Sequence, residues 1–163
     1  MAIHRVEEDV RAALAVAEDA AASPAERAEM LMEIAIGLQQ RPKTPDQLVA
    51  AVTLYDKALS ICPEGIPLLK ARITARKGTA LQATPEQGTS FLEAAREAFE
   101  TAIPLLTEFG TKEELAEAEM NLGLALQGLA GFGLARITDA IAAYLKAVPP
   151  LPDAVPKAEE ATQ

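Results

Sequence analysis

The sequence contains few aromatic residues and almost no cysteine or histidine. It has no Trp, aromatics make up 4% of its 163 residues, and Cys62 and His4 are single examples of their kind. One cysteine excludes an intrachain disulfide and a thiolate-rich metal cluster, and one histidine excludes a multi-histidine metal site. We interpret Cys62 as a packing residue and His4 as part of a frayed terminus. The glycines Gly128, Gly131 and Gly133 lack the Lys-Ser/Thr ending of a phosphate-binding loop. The composition therefore predicts no metal, no cofactor and no catalysis.

Positive charge is also scarce. Fifteen basic residues face 24 acidic ones, which gives a formal charge of −9 and a pI near 4.7. This balance disfavours binding to nucleic acid or to an anionic membrane surface. No run reaches the roughly 18 apolar residues of a membrane-spanning helix. The first 20 residues include five acidic ones, unlike a signal peptide, so we expect a cytoplasmic protein.

Alanine and aliphatic residues, rather than aromatic ones, make up most of the hydrophobic residues. Alanine occupies 34 positions and half of the residues are hydrophobic, a bias that favours close-packed helices over sheets. Proline and glycine divide the chain into segments with helical apolar spacing. Ser23, Thr44 and Thr111 are expected to cap three of the helices, and Pro104 to kink a fourth or end it early. The expected fold is all-α, with one domain over residues 1–148 and a disordered, proline-rich tail over residues 149–163. The expected helices cover about residues 3–21, 24–40, 45–62, 66–83, 89–107, a sixth from 111, and 134–148.

A repeat is the main signal in the sequence. The segments 51–59, 95–103 and 140–148 share one template of Ala, three other residues, an aromatic, two other residues, Ala and an aliphatic residue. The aromatics are spaced by 44 and 45 residues, and the glycines of the preceding helices by 41 and 45. Small residues let two helices approach closely while an aromatic fills the space between helix pairs, so neighbouring units would bury each other. The predicted packing residues are Gly37, Ala51, Tyr55, Ala58, Gly78, Ala95, Phe99, Ala102, Gly123, Ala140, Tyr144 and Ala147.

On these residues the chain resembles the tetratricopeptide repeat superfamily, over about residues 26–148. The matching motif is Asn121-Leu122-Gly123 with Leu126 on a first helix, and Ala140, Tyr144 and Ala147 on a second. The period is longer than the family's usual length of about 34, and the Trp-like residue early in each first helix is missing. The resemblance implies a right-handed superhelical stack of antiparallel helix pairs. The pairs would occupy residues 24–63, 65–107 and 111–148, preceded by a leading helix over residues 1–22.

The resemblance also implies a concave groove lined by the first helix of each pair, where a peptide or helix of a partner protein would bind. The groove residues by position are Leu31, Ile34, Leu38, Arg72, Arg76, Thr79, Glu117, Asn121 and Leu124. Arg72 and Arg76 share one helix face and would clamp a partner carboxylate, unless they pair with acidic residues of neighbouring helices. Asn121 would bind a peptide backbone or, alternatively, connect two helices.

These features predict a non-catalytic protein-protein interaction module, such as an adaptor, assembly factor or regulator. The alternative is a self-assembling scaffold, because three units without an obviously polar capping helix would leave end faces able to stack between copies. A small-molecule carrier or an enzyme is the third interpretation. It ranks last because no grouping of nucleophile, base or metal ligands is apparent in the sequence.

Overall fold

Seven α-helices form the regular structure of this computed structural model, which describes residues 2–85 and 88–148, with side chains from residue 6 onward. No strand occurs in these two ranges, so the prediction of an all-α fold with about seven helices is confirmed. The predicted disordered tail and the side chain of His4 lie outside the described residues. The helices are α1 (Ala2–Ala17), α2 (Pro24–Gln39), α3 (Pro45–Ile61), α4 (Pro67–Ala83), α5 (Ser90–Phe109), α6 (Lys112–Gly131) and α7 (Ile137–Ala147).

Side-chain caps begin two of the helices at the expected residues. Ser23 precedes α2, and its hydroxyl accepts a hydrogen bond from the backbone N–H of Glu26 at 3.2 Å. Thr111 precedes α6, and its hydroxyl accepts from the backbone N–H of Glu114 at 3.1 Å. The Glu114 carboxylate in turn accepts from the Thr111 backbone N–H at 3.2 Å. These bonds satisfy N–H groups that the first turn of a helix leaves without partners.

Two other local predictions need correction. Thr44 precedes α3 but makes no side-chain cap bond, and the side chain of Gln47 instead turns back to accept from the backbone N–H of Lys43 at 2.7 Å. Pro104 does not end α5, which continues to Phe109. A proline removes one hydrogen bond to the carbonyl four residues earlier, and Pro104 and Glu100 are both exposed, so water can satisfy that carbonyl.

Consecutive helices pack against each other, and the contacts are most extensive between α4 and α5, α2 and α3, and α6 and α7. Two of these pairs meet at a glycine and an aromatic ring. A methyl group added at Gly78 would lie 2.8 Å from the ring of Phe99, and one added at Gly123 would lie 2.6 Å from the ring of Tyr144. Glycine is therefore required at both positions for α4 to approach α5, and α6 to approach α7, this closely.

The predicted packing residues are mostly inside the protein. Tyr55 and Phe99 are fully buried and are the largest side chains in the core. The other buried members of the set are Ala51, Ala58, Gly78, Ala95, Ala102, Gly123 and Ala140, while Tyr144 and Ala147 are half-buried.

Gly37 is the exception, because it is exposed and has no atom within 4 Å of where a Cβ would be. Ala35, which is fully buried, occupies the equivalent place on α2. The Tyr55 hydroxyl donates to the side-chain oxygen of Gln39, four residues after Ala35, at 2.6 Å. The Tyr144 hydroxyl makes the same 2.6 Å bond to Gln127, four residues after Gly123. On α2, the residue equivalent to Gly78 and Gly123 is therefore Ala35, two positions before Gly37, which the alignment of the three glycines predicts.

Candidate partner-binding cleft

A cleft of about 340 Å³ lies between helices α2, α4, α5 and α6, and we call it the central cleft. Three of these helices contribute residues at equivalent positions of the repeat. Six residues before Ala35, Gly78 and Gly123 lie Glu29, Arg72 and Glu117, and two residues before them lie Glu33, Arg76 and Asn121. The remaining lining residues are Met32, Ile36, Ala75, Thr79, Phe99, Leu106, Glu114 and Ala118.

The central cleft has an apolar floor and a charged rim. Met32, Phe99, Leu106 and Ala118 are each at least nine-tenths buried, so they present little surface of their own and form the floor. The exposed residues are Glu29, Glu33, Arg72, Arg76 and Glu117. An apolar floor with a few charged groups is typical of a site that binds one side chain through burial and orients it through the rim.

Arg72 is already paired within the protein. Its Nε donates to Glu114 Oε2 at 2.8 Å and its Nη2 donates to Oε1 at 3.2 Å, a two-pronged contact between α4 and α6. The hydrogen bond from Arg72, together with the hydrogen bonds that involve Thr111, lowers the pKa of Glu114 to about 2. The same hydrogen bond raises the pKa of Arg72. The alternative of internal pairing therefore holds for Arg72, and a clamp of two free guanidinium groups is not what the structure presents.

Arg76 differs from Arg72, because it makes no ion pair or side-chain hydrogen bond with any residue that the structure describes. Its charge acts on Tyr55 of α3, which is buried in the core and does not line the cleft. Burial raises the pKa of Tyr55, the positive charge of Arg76 opposes that rise, and the negative charge of Glu33 adds to it. Arg76 thus supplies an exposed guanidinium above an apolar floor, with all five of its N–H donors available to a ligand.

Asn121, Glu117 and Thr79 complete the part of the predicted groove that the structure brings together with Arg72 and Arg76. The backbone carbonyl of Asn121 accepts from the Gln82 side chain at 3.4 Å, so the contact between helices uses its main chain. No described residue hydrogen-bonds to its side-chain amide, which lines the cleft. The Thr79 hydroxyl donates to the Ala75 carbonyl at 3.1 Å, so toward a ligand it can act only as an acceptor.

Four predicted groove residues lie elsewhere. Leu31 is fully buried in the core and cannot reach a partner. Ile34 and Leu38 line a separate, shallow cavity with α1, and Leu124 is 46% exposed outside the central cleft. Ile34 and Leu38 do not reach the central cleft because the repeat begins two residues earlier on α2 than predicted. The face of α2 that carries Glu29, Met32 and Ile36 therefore lies toward the cleft.

The sequence therefore did not predict which residues of α2 line the central cleft, or that α5 contributes to its floor. A signal for the α2 wall does exist: Gln39 precedes Tyr55 by 16 residues, as Gln127 precedes Tyr144 by 17. No comparable signal marks Leu106, whose position depends on how α5 packs against α6.

Neither Cys62 nor a metal-binding cluster forms a second site among the residues that the structure describes. Cys62 is half-buried at the end of α3, and burial raises the pKa of its thiol, which disfavours a reactive thiolate. Among the described residues, no three His, Cys, Asp or Glu side chains are grouped to hold a metal ion. None of the described helices has both the length and the apolar content needed to span a membrane. Comparison of the chain with protein-family models, with curated proteins and with solved structures finds no match.

Proposed function

We propose that the protein is a non-catalytic interaction module that holds a segment of a partner protein in the central cleft. The observation that carries this proposal is Arg76, an exposed cation without a described partner above an apolar floor. A charge-assisted hydrogen bond from such a group is worth more when the floor beneath it excludes water. An adaptor, assembly factor or regulator would use the cleft in this way.

The architecture that we propose is a tetratricopeptide-like stack of antiparallel helix pairs with a right-handed superhelical twist. Its support is the recurrence of the same contacts, since glycine meets an aromatic ring in two pairs and tyrosine meets glutamine in two pairs. In a stack of this kind, equivalent positions on successive first helices line one continuous surface. The recurrence of Glu29, Arg72 and Glu117 around one cleft agrees with that arrangement.

The charges of the cleft indicate what the bound segment contains. With Arg72 and Glu114 paired, the rim retains one cation, Arg76, and the carboxylates of Glu29, Glu33 and Glu117. A segment with one aliphatic or aromatic side chain for the floor, an acidic residue for Arg76 and a basic residue beside it would complement all of them. A uniformly acidic segment would be repelled by the three carboxylates.

The test is to select binding peptides from a displayed random library and to measure their affinity for the Arg76→Glu variant by calorimetry. Loss of one charge-assisted hydrogen bond costs about 1.5–3 kcal/mol, which corresponds to a rise in Kd of roughly 10- to 150-fold. The matched control is Arg11→Glu, which makes the same change of charge on an exposed residue of α1 outside the cleft.

We expect the control to bind like the wild type and both variants to keep the helical circular dichroism of the parent. Equal affinity of all three proteins for every selected peptide would refute the assignment of Arg76. A library that yields no binder to the wild type would count against the whole proposal.

A further inference from the structure

The C-terminal end of the described chain exposes an apolar surface that the rest of the molecule does not explain. On α7, only Ala140 and Ala143 are buried. Ile137, Ile141, Leu145 and Val148 recur at three- and four-residue spacing, so they lie along one side of the helix, and we call them the terminal ridge. They are 54%, 50%, 69% and 62% exposed. A continuous apolar surface of this kind marks an interaction site in a protein that is otherwise well packed.

The repeat shows what covers these positions elsewhere in the molecule. Relative to the template alanine, Ile141 is equivalent to Val52 on α3, and Val52 packs against Leu81 and Phe99 of the following helix pair. Leu145 is equivalent to Asp56, whose carboxylate pairs with Lys77 on α4 at 2.6 Å. In the first helix pair, the face that corresponds to the terminal ridge is therefore covered by the next pair.

The second pair follows this rule only in part, because Arg96 and Glu100, the equivalents of Ile141 and Leu145 on α5, are partly exposed and form an ion pair with each other at 2.7 Å. Val148 is equivalent to Ile103 on α5, and Ile103 packs against a cluster that includes Ala118 on α6. The terminal ridge thus has the position of a surface between helix pairs, but all four of its residues are aliphatic. A polar surface would be expected on a helix that ends a stack in water.

Helix α1, which is the first of the described helices, has such a polar surface. Helix α1 contacts α2 and α3, and it exposes Glu7, Glu8, Asp9 and Arg11. Docking of the terminal ridge onto α1 of another copy would bury these charges against aliphatic side chains, at a high desolvation cost. Head-to-tail stacking is therefore disfavoured, and the ridge of a second copy remains as an apolar counterpart.

The distribution of charge also favours a second copy of the chain as the partner of the terminal ridge. Residues 1–119 contain 12 basic and 20 acidic side chains, so most of the surface repels a second copy. Residues 120–163 contain three basic and four acidic side chains, a net charge of −1, against −8 for residues 1–119. The end that carries the terminal ridge is thus where two copies meet with the least repulsion. We propose that the terminal ridges of two copies pack against each other and form a two-fold symmetric dimer.

The test is the molar mass of the full chain in solution, measured by light scattering after size exclusion and by sedimentation equilibrium up to concentrations on the order of 100 μM. The wild type should have twice the mass of one chain. The double variant Ile141→Glu with Leu145→Glu should raise the dimer dissociation constant by well over tenfold and give a monomer. Leu145→Gln, which is polar but uncharged, should have a smaller effect in the same direction.

The matched control is Val49→Glu, which changes an exposed aliphatic residue of α3 that is 47% accessible. This variant should remain a dimer, and circular dichroism should show that all variants keep their helices. A wild type that is monomeric over the whole range overturns the proposal, whether a later segment of the chain or another protein covers the ridge. A dimer that survives the double variant also overturns it, because another surface must then hold the copies together.

Discussion

Two glycines, Gly78 and Gly123, determine how closely the helices of the second and third pairs approach. Each lies against an aromatic ring, and the ring of Phe99 is fully buried, so a displacement of the ring would disturb its packing in the core. Alanine at either position would add a methyl group inside the packing distance of the ring. Overpacking of this kind costs about 1–3 kcal/mol, whereas the better helix propensity of alanine returns about 1 kcal/mol.

Gly78→Ala and Gly123→Ala are therefore expected to lower the free energy of unfolding, by up to about 2 kcal/mol for Gly78. Gly37→Ala is the natural control, since nothing lies near its missing Cβ, and it should raise stability by up to about 1 kcal/mol. Urea unfolding followed by circular dichroism measures all three. Stabilisation by all three substitutions would show that the two rings are not confined.

The same residues show how far the sequence predicts the packing. The aromatic template and the small residues facing it are visible in the sequence, and Phe99 with Gly78 follows the prediction in detail. On α2, two small residues lie two positions apart, Ala35 and Gly37, and matching glycine with glycine selected the wrong one. Which of them faces Tyr55 depends on the path of the chain between α2 and α3, and residue spacing alone does not contain that path.

At the scale of helices, Glu114 connects the start of α6 with α4. It completes the cap with Thr111 and also accepts both hydrogen bonds from Arg72. The folded protein holds its pKa at about 2, below the ordinary value of 4.5, so the unfolded chain binds the proton more tightly. This contribution to stability is present above about pH 4.5 and is lost as the pH falls toward about 2.

Glu114→Gln should therefore lower the free energy of unfolding near neutral pH, and the difference from the wild type should shrink below about pH 4. The pair is partly exposed and screened by water, so we expect a loss of about 1 kcal/mol, mainly from the weakened contact with Arg72, because a glutamine side chain can still accept from the Thr111 N–H. Glu113→Gln changes the neighbouring exposed glutamate and serves as the control for net charge. The measurement is urea unfolding at several pH values, and a difference that does not change with pH would contradict the assignment.

Helix boundaries were largely predictable because local chemistry sets them. Ser23 with Pro24 begins α2 and Thr111 with Glu114 begins α6, and these signals need no knowledge of the rest of the fold. The central cleft was predictable on α4 and α6, where the repeat frame holds. It was not predictable on α2, where the frame is shifted, or on α5, whose floor residues Phe99 and Leu106 reach the cleft through tertiary packing.

At the scale of the whole molecule, stability should be unevenly distributed among the seven described helices. Helices α4 and α5 share the most extensive contacts and have neighbours on both sides, whereas α1 contacts only α2 and α3, and less extensively. In a stack where each unit contacts only its neighbours, the end elements open at the lowest free energy.

Backbone amides of α1 should therefore exchange with solvent deuterium faster than those of α4 and α5, and amides of α5 should exchange the slowest. Hydrogen exchange read out by mass spectrometry of peptides resolves the helices individually. Equal protection of α1 and α5 would mean that the chain opens only as a single cooperative unit.

The two tyrosines also give the molecule a pair of built-in optical reporters. Tyr55 belongs to the first helix pair and Tyr144 to the last, each with its hydroxyl bonded to a glutamine, and no tryptophan masks their absorption. Tyr144→Phe leaves a spectrum that reports on the first pair, and Tyr55→Phe leaves one that reports on the last. The order in which the regions around Tyr55 and Tyr144 melt can thus be read from near-ultraviolet absorption without attaching a label.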